Sequence, residues 1–269
     1  MYSRITRHKT TLNLISTCIH QCNMIENFQV QELLIAIAVK QQNPSIMTAD
    51  FLKYTGIVPS DWELARPPVL TNTAAQVVYQ NGVSIVAEVN RVIFAEAIAN
   101  KEVSDVQIGA IAHKYIQTVK QVNYQGVGIN LRGLAPYDKT NLSARNYTFS
   151  KLLQAGAWQD FGSVPVEASI RLVYTLDETQ LYLDINEAQL QYPDQTTKSA
   201  LLFSANFSRA INQEEPTARL AAIGAVIDKW QSDVETLKEL VNSKFLDDQS
   251  YSISVATTEP LQFPTAIAK

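Results

Sequence analysis

The chain has 269 residues and a formal net charge of −4, with 46% hydrophobic and 18% charged residues, a composition typical of a globular protein. The acidic balance argues against a nucleic-acid partner, which would need clustered lysine and arginine. No apolar run approaches the roughly 20 residues needed to cross a bilayer, so we expect no membrane span.

After Met24 the chain holds no cysteine and a single histidine, His113. This part of the chain therefore excludes a Cys/His metal site, a cysteine nucleophile and a disulfide framework. We expect a cytoplasmic protein without a metal or cofactor.

Residues 1–23 differ from the rest of the chain, because they contain three basic residues and no acidic one. One interpretation is a disordered or mis-assigned extension, with the true start of translation at Met24. Alternatives are a targeting peptide and a metal site built on Cys18, His20 and Cys22. The metal site would need further ligands that the rest of the chain does not supply.

The first half of the chain predicts a strand, a short helix, three strands and a helix. The predicted strands are residues 28–40, 76–80, 83–88 and 91–97. Asn81-Gly82 predicts a type I′ turn between the second and third of these strands. Thr48 is placed to cap a helix over Ala49–Tyr54. Ser104, with Gln107 three residues later, predicts a capping box at the start of the second helix.

The second half repeats this order of elements. The predicted strands are residues 122–134, 164–176, 180–192 and 200–211, and a helix between the first two begins at Asn141 or Ser143. A long helix then begins near Pro216, and residues 247–269 predict a disordered tail.

This repeated order predicts an α+β fold with antiparallel sheet covered on one face by helices. We expect two βαβββα units, residues 24–121 and 122–246, related by a pseudo-twofold axis. The layout resembles the saddles of the TATA-binding-protein-like and helix-grip architectures, an analogy of fold that implies no function.

Three short motifs resemble an uncharacterised family of bacterial proteins: Asp50-Phe51-Leu52, Gly56-Ile57-Val58-Pro59 followed by Trp62, and Gly128-Ile129-Asn130. The resemblance covers roughly residues 25–245. It implies no activity and no catalytic residues.

The last helix carries the strongest periodic signal. Its apolar residues are spaced alternately three and four apart: Leu220, Ile223, Ile227, Trp230, Val234, Leu237 and Val241. This pattern predicts a helix that packs on the sheet through this seam, with Asp233 on the opposite, exposed face. A coiled-coil contact with a partner is the alternative.

A polar face is predicted for the late strands, because alternate residues of a strand share a side. Glu167, Ser169 and Arg171 share one side of their strand, and two further strands contribute the sets Tyr182, Asp184, Asn186 and Ser204, Asn206, Ser208. If the registers match, these residues form one patch near Asn130 and Arg132. The candidate ligand-binding residues are therefore Asn130, Arg132, Arg171, Asp184 and Asn186. A solvated sheet face with surface ion pairs is the alternative.

Other candidate features favour structural roles. The glycines from Gly126 to Gly133 lie within a strand and predict a bend more than a phosphate loop. His113 has no catalytic partner implied by the sequence. The three tryptophans Trp62, Trp158 and Trp230 predict core anchors. We assign no catalytic residue.

Two functions remain open. One is a non-enzymatic binding or assembly protein, including a homodimer, because Val78, Val86 and Ile93 make the second face of the early strands apolar. The other is a small-molecule binder or an unrecognised enzyme with a pocket between sheet and helix. A sharply concave cavity lined by Arg132, Arg171 and Asp184 would favour the second function, and a flat sheet with an apolar patch would favour the first.

Overall fold

Nine strands form one antiparallel sheet in the computed structural model, which describes residues 28–136, 143–177, 179–191 and 195–247. In chain order the strands are β1 (Gln29–Lys40), β2 (Val69–Leu70), β3 (Ala74–Val78), β4 (Val83–Glu88), β5 (Arg91–Ala97), β6 (Asn123–Pro136), β7 (Ser169–Thr175), β8 (Gln180–Gln191) and β9 (Thr197–Ala210). Their order across the sheet is β2-β3-β4-β5-β1-β6-β9-β8-β7. The predicted antiparallel sheet is confirmed.

The described helices are α1 (Ala49–Tyr54), α2 (Ile108–Thr118), α3 (Ala144–Tyr147), α4 (Pro216–Ile227) and α5 (Trp230–Leu240). The predicted cap of α1 is confirmed, since the Thr48 hydroxyl accepts a hydrogen bond from the Phe51 amide over 3.0 Å. Ser143 caps α3 in the same way, accepting from the amide of Asn146 over 3.2 Å. These hydroxyls satisfy amides that have no partner inside the helix.

The helices lie against one face of the sheet, here called the helix face. Alternate strand residues on this face are fully buried, among them Ile35 on β1, Phe94 on β5 and Phe203 on β9. Rings from helices and strands meet there, as between Phe94 and Tyr115, whose centroids lie 5.4 Å apart. The opposite side of the sheet, here called the open face, carries the alternate set of strand residues, and no described helix packs on it.

A bulge bends β6 at its glycine-containing start. The pairing of β1 with β6 shifts register between Ala38 and Val39, opposite Gly126 and Tyr124. Gln125 is therefore the extra residue, beside a glycine that tolerates the bend. The predicted bend is present at Gly126, the first glycine of the run.

The turn between β3 and β4 differs from the prediction. A type I′ turn needs positive φ at both central residues, but of Asn81 and Gly82 only Gly82 has one, at +86°. The Tyr79 carbonyl accepts from the amide of Gly82, and the Tyr79 amide donates to the Val83 carbonyl over 2.8 Å. Gly82 alone provides the left-handed residue of a longer hairpin loop.

The start of α2 was also predicted wrongly, because its cap comes from the sheet. The Glu96 carboxylate on β5 is fully buried and accepts from the amides of Gln107 and Ile108 over 2.8 and 2.9 Å. Lys101 donates to the other oxygen over 2.7 Å. A carboxylate at this position satisfies free amides, and its negative charge is stabilised by the positive end of the helix dipole. Ser104 is not part of the cap.

The predicted long helix is two helices. Asp228 and Lys229 form a tight turn between α4 and α5, where the Lys229 amide donates to the Val226 carbonyl. The seam packs on the sheet as predicted, since Ile223, Ile227 and Leu237 are fully buried. Asp233 was placed wrongly on the exposed face, since it is 3% exposed.

β7 is shorter than predicted. Its first residue is Ser169 rather than Val164, and Pro165 in the preceding segment has no amide to donate to a sheet. In this irregular segment Trp158 is 46% exposed, so the expectation of a core anchor there was wrong. Trp62 and Trp230 do contact the core.

The predictions for residues 1–23 and for 248–269 lie outside the described residues. Parts of two predicted turns, at Glu178 and at Pro193-Asp194, also lie outside them.

Candidate functional site

A row of polar and charged side chains crosses the open face. The strand registers place five residues side by side on β1, β6, β9, β8 and β7: Glu32, Arg132, Ser204, Asp184 and Arg171. Residues directly opposite on neighbouring strands lie within reach of each other. The row therefore combines acidic, basic and hydroxyl groups in a fixed order.

Two ion pairs form within this row. Arg171 donates from Nε and Nη2 to the two carboxylate oxygens of Asp184, over 2.6 and 3.0 Å. Arg132 donates from Nη1 to Glu32 over 3.2 Å. The arginine side chains are 69% and 58% exposed respectively, so both guanidinium groups remain open to solvent.

A second row lies next to the first and carries amide groups. Leu34, Asn130, Asn206 and Tyr182 are neighbours on β1, β6, β9 and β8. The Asn206 amide donates to the Asn130 side-chain oxygen over 2.5 Å, and Asn130 donates to the Gly128 carbonyl over 3.3 Å. These bonds fix both amides on the open face.

These rows border a hollow of about 540 Å³ that extends over six neighbouring strands, from β5 to β7. All five predicted residues, Asn130, Arg132, Arg171, Asp184 and Asn186, line this hollow. The structure therefore brings these five residues together on the open face. Glu167, Tyr182 and Ser208 of the predicted patch do not line this hollow, and the hollow does not lie between sheet and helix, where the second function was expected to place its pocket.

The hollow also has a side that the sequence analysis did not assign to it. Arg91 and Ile93 on β5 and Leu34 and Ala36 on β1 complete its lining. Alternation along β1 and β5 would have placed these residues on the open face, but the sequence does not show that β1 separates β5 from β6.

Glu167 is separate from this group. It precedes β7 and lines a neighbouring hollow of about 480 Å³ together with Arg145 and Glu187. Glu167 and Asp184 therefore line different hollows, and their positions do not favour a joint role in acid–base chemistry.

His113 has a partner that the sequence did not indicate. Its Nε2 lies 2.7 Å from the Oδ1 atom of Asp228, which joins α2 to the end of α4. Gly224 makes this approach possible, because a Cβ atom there would lie 2.9 Å from His113 Cε1. The contact links two helices of the helix layer, and the Asp228 side chain is largely exposed.

The fold and the hollow define an α+β protein with a polar and partly apolar depression on an open antiparallel sheet. No family model matches the chain, and no curated protein is found to match it. Within the described ranges, no group of three His, Cys, Asp or Glu side chains is arranged to hold a metal ion. None of the helices described above has the length and apolar character needed to cross a membrane.

Proposed function

We propose that this protein is a non-enzymatic binding protein whose hollow on the open face receives a polypeptide segment of a partner protein. The observation that carries the proposal is the mixed lining of the hollow. Guanidinium, amide and hydroxyl groups from β6 to β7 lie beside the apolar side chains of Leu34, Ala36 and Ile93 on the same face of the sheet.

This lining suits a peptide because a peptide has both kinds of surface. The amides of Asn130, Asn186 and Asn206 each offer donors and an acceptor, which match the amide and carbonyl of a main chain. Apolar side chains of the same segment would find the apolar side of the hollow, where their burial is favourable.

Exposed guanidinium groups favour an acidic segment. The lining contains three arginines, and each is paired with a carboxylate: Arg91 with Glu88, Arg132 with Glu32 and Arg171 with Asp184. An acidic segment would bind through the N–H groups that these pairs leave open. Among the described residues Arg132 donates a single hydrogen bond, to Glu32, so its other N–H groups are available for a carboxylate.

The two ion pairs fit a role in binding a ligand better than a role in proton transfer. Asp184 accepts two hydrogen bonds from Arg171, and Glu32 accepts one from Arg132. A carboxylate that is held by a guanidinium is well placed to orient that guanidinium toward a ligand, which is a role in binding.

A small polar molecule is the second candidate ligand. Arg132, Arg171 and Asp184 line the hollow together, as a small-molecule site would require, and a volume of about 540 Å³ lies within the roughly 300–1,000 Å³ of ligand pockets. A peptide is preferred because the hollow extends over six neighbouring strands, which suits an extended ligand. A thermal-shift screen of metabolites would support the small molecule if a compound raises the melting temperature of the full chain but not that of Arg132→Ala.

Selection from a random peptide library tests the main proposal. A phage library of 12-residue peptides would be panned on the immobilised full chain, with Arg132→Ala as the counter-target. Lys114→Ala, an exposed site on α2, is the matched control. We expect peptides rich in acidic and apolar residues that bind the wild type and Lys114→Ala but not Arg132→Ala. Failure to enrich such peptides, or equal binding to all three proteins, would contradict the proposal.

We also propose that the sheet consists of two βαβββα units related by a pseudo-twofold axis, residues 24–121 and 122–246. The strand order supports this, because β3-β4-β5-β1 on one side of the centre corresponds to β7-β8-β9-β6 on the other.

We propose the cytoplasm as the compartment, since the chain after Met24 has no cysteine.

A further inference from the structure

The two edges of the sheet are unlike each other. At one edge β2 has only two residues and follows Pro67 and Pro68, which have no amide to donate. At the other edge β7 has seven residues without a proline. It pairs with β8 from Ser169 to Thr175 without a register shift. Short strands, prolines and bulges protect edges from pairing, and β7 has none of these three. Charged side chains also protect edges, and β7 has one, Arg171.

The side chains of β7 are those of a strand that has no neighbour on its outer side among the described residues. Ile170, Leu172 and Tyr174 point to the helix face, where the equivalent residues of inner strands are buried, yet they are only half-buried. On the open face Val173 is 54% exposed. A further strand beside β7 would cover these apolar groups and satisfy the outward main-chain groups.

We propose that this strand is β7 of a second copy of the chain, paired antiparallel about a twofold axis at Leu172. In this register Leu172 lies opposite itself and Ile170 lies opposite Tyr174, so apolar side chains meet on the helix face. On the open face Arg171 lies opposite Val173. No like charges face each other, because Arg171 is the only charged residue of β7.

The pairing has a consequence for the hollow. Residues opposite each other on antiparallel strands share a face, so the open faces of the two copies lie on the same side. Arg171 and Ser169 form the outer rim of the hollow, and Val173 of the second copy extends this rim. The dimer does not depend on the proposed peptide ligand and is tested without one.

Analytical ultracentrifugation of the full chain between 1 and 100 μM tests the proposal. We expect a dimer, with twice the chain mass of 29.9 kDa. Val173→Lys places a positive charge opposite Arg171 at both symmetry-related positions and should raise the dissociation constant about tenfold. Val173→Glu places a negative charge there and should leave the dissociation constant unchanged or lower it.

Val69→Lys, at an exposed residue of the opposite edge, is the matched control and should leave the dimer intact. Urea melts of each variant check that it is folded. A wild-type monomer at 100 μM would overturn the proposal. A dimer that responds equally to Val173→Lys and Val173→Glu would also overturn it, because the interface would then lie away from β7.

Discussion

Arg209 on β9 and Asp233 on α5 form a bidentate ion pair in the interior of the protein. Nη1 donates to Oδ2 over 2.8 Å, and Nη2 donates to Oδ1 over 2.7 Å. The two side chains are 10% and 4% exposed, so water would not compensate for the loss of either charge. This pair fixes α5 on the sheet.

Removal of one partner should be strongly destabilising, because the other charge would stay buried without compensation. We expect Asp233→Ala to lower the free energy of unfolding by about 3–5 kcal/mol, measured by urea denaturation. Glu235→Ala, an exposed site on the same helix, is the control and should change it by about 0.5 kcal/mol or less. A double variant, Arg209→Met with Asp233→Leu, should recover much of the loss. Equal effects of Asp233→Ala and Glu235→Ala would contradict this account.

The tryptophans provide a second contrast. Trp230 is 8% exposed and lies against Gly109, where a Cβ atom would be 2.9 Å from the indole Nε1. Trp230→Ala should therefore cost about 3–5 kcal/mol of stability. Trp158→Ala, at a half-exposed ring, should cost about 1 kcal/mol or less. Urea melts at two protein concentrations measure both changes. A small loss for Trp230→Ala would mean that the α4–α5 seam is not core.

Stability should fall at high pH because of Tyr79. Its hydroxyl is buried and has no hydrogen-bond partner among the described residues, and burial raises its pKa to about 12. An unfolded tyrosine titrates near pH 10. The raised pKa therefore leaves stability unaffected below about pH 10 and lowers it as the pH rises from 10 to 12.

Tyr79→Phe isolates this contribution. At pH 7 the variant should be as stable as the wild type or more so, since it removes a hydroxyl without a partner. Between pH 10 and 12 it should lose less stability than the wild type. Some loss should remain, because burial also raises the pKa values of Tyr115 and Tyr124. Tyr124→Phe is the comparison, and should cost about 1 kcal/mol at pH 7 through the lost bond to the Val119 carbonyl. A steeper pH dependence in Tyr79→Phe than in the wild type would contradict the assignment.

Local patterns predicted most of the elements. β5 and α1 have the predicted bounds, because turn residues and a threonine cap mark their ends. The errors arise where a distant residue decides a local feature. Glu96 on β5 caps α2, and Arg209 on β9 pairs with Asp233 of α5, which is therefore buried. Periodicity counts an aspartate as an outward residue, and it carries no information about such partners.

The candidate site could be predicted in part, because the side of a strand on which a residue lies is also a local property. Alternation assigned Arg132, Arg171 and Asp184 to one side of their strands, and the registers place them on one row. The position of β1 between β5 and β6 determines the apolar side of the hollow. That position depends on long-range pairing, which the periodicity of single strands does not reveal.

The most direct test of the proposed binding role is titration calorimetry against matched variants, with an acidic 12-residue peptide selected on the wild type alone, without the Arg132→Ala counter-target. Substitutions on the open face, Arg132→Ala and Asn130→Ala, should each weaken binding, Arg132→Ala by about tenfold or more because a charge-assisted hydrogen bond is lost. Lys114→Ala on α2 should bind like the wild type. Binding that is unchanged by both open-face substitutions, or weakened only by Lys114→Ala, would contradict the assignment of the hollow as the binding site.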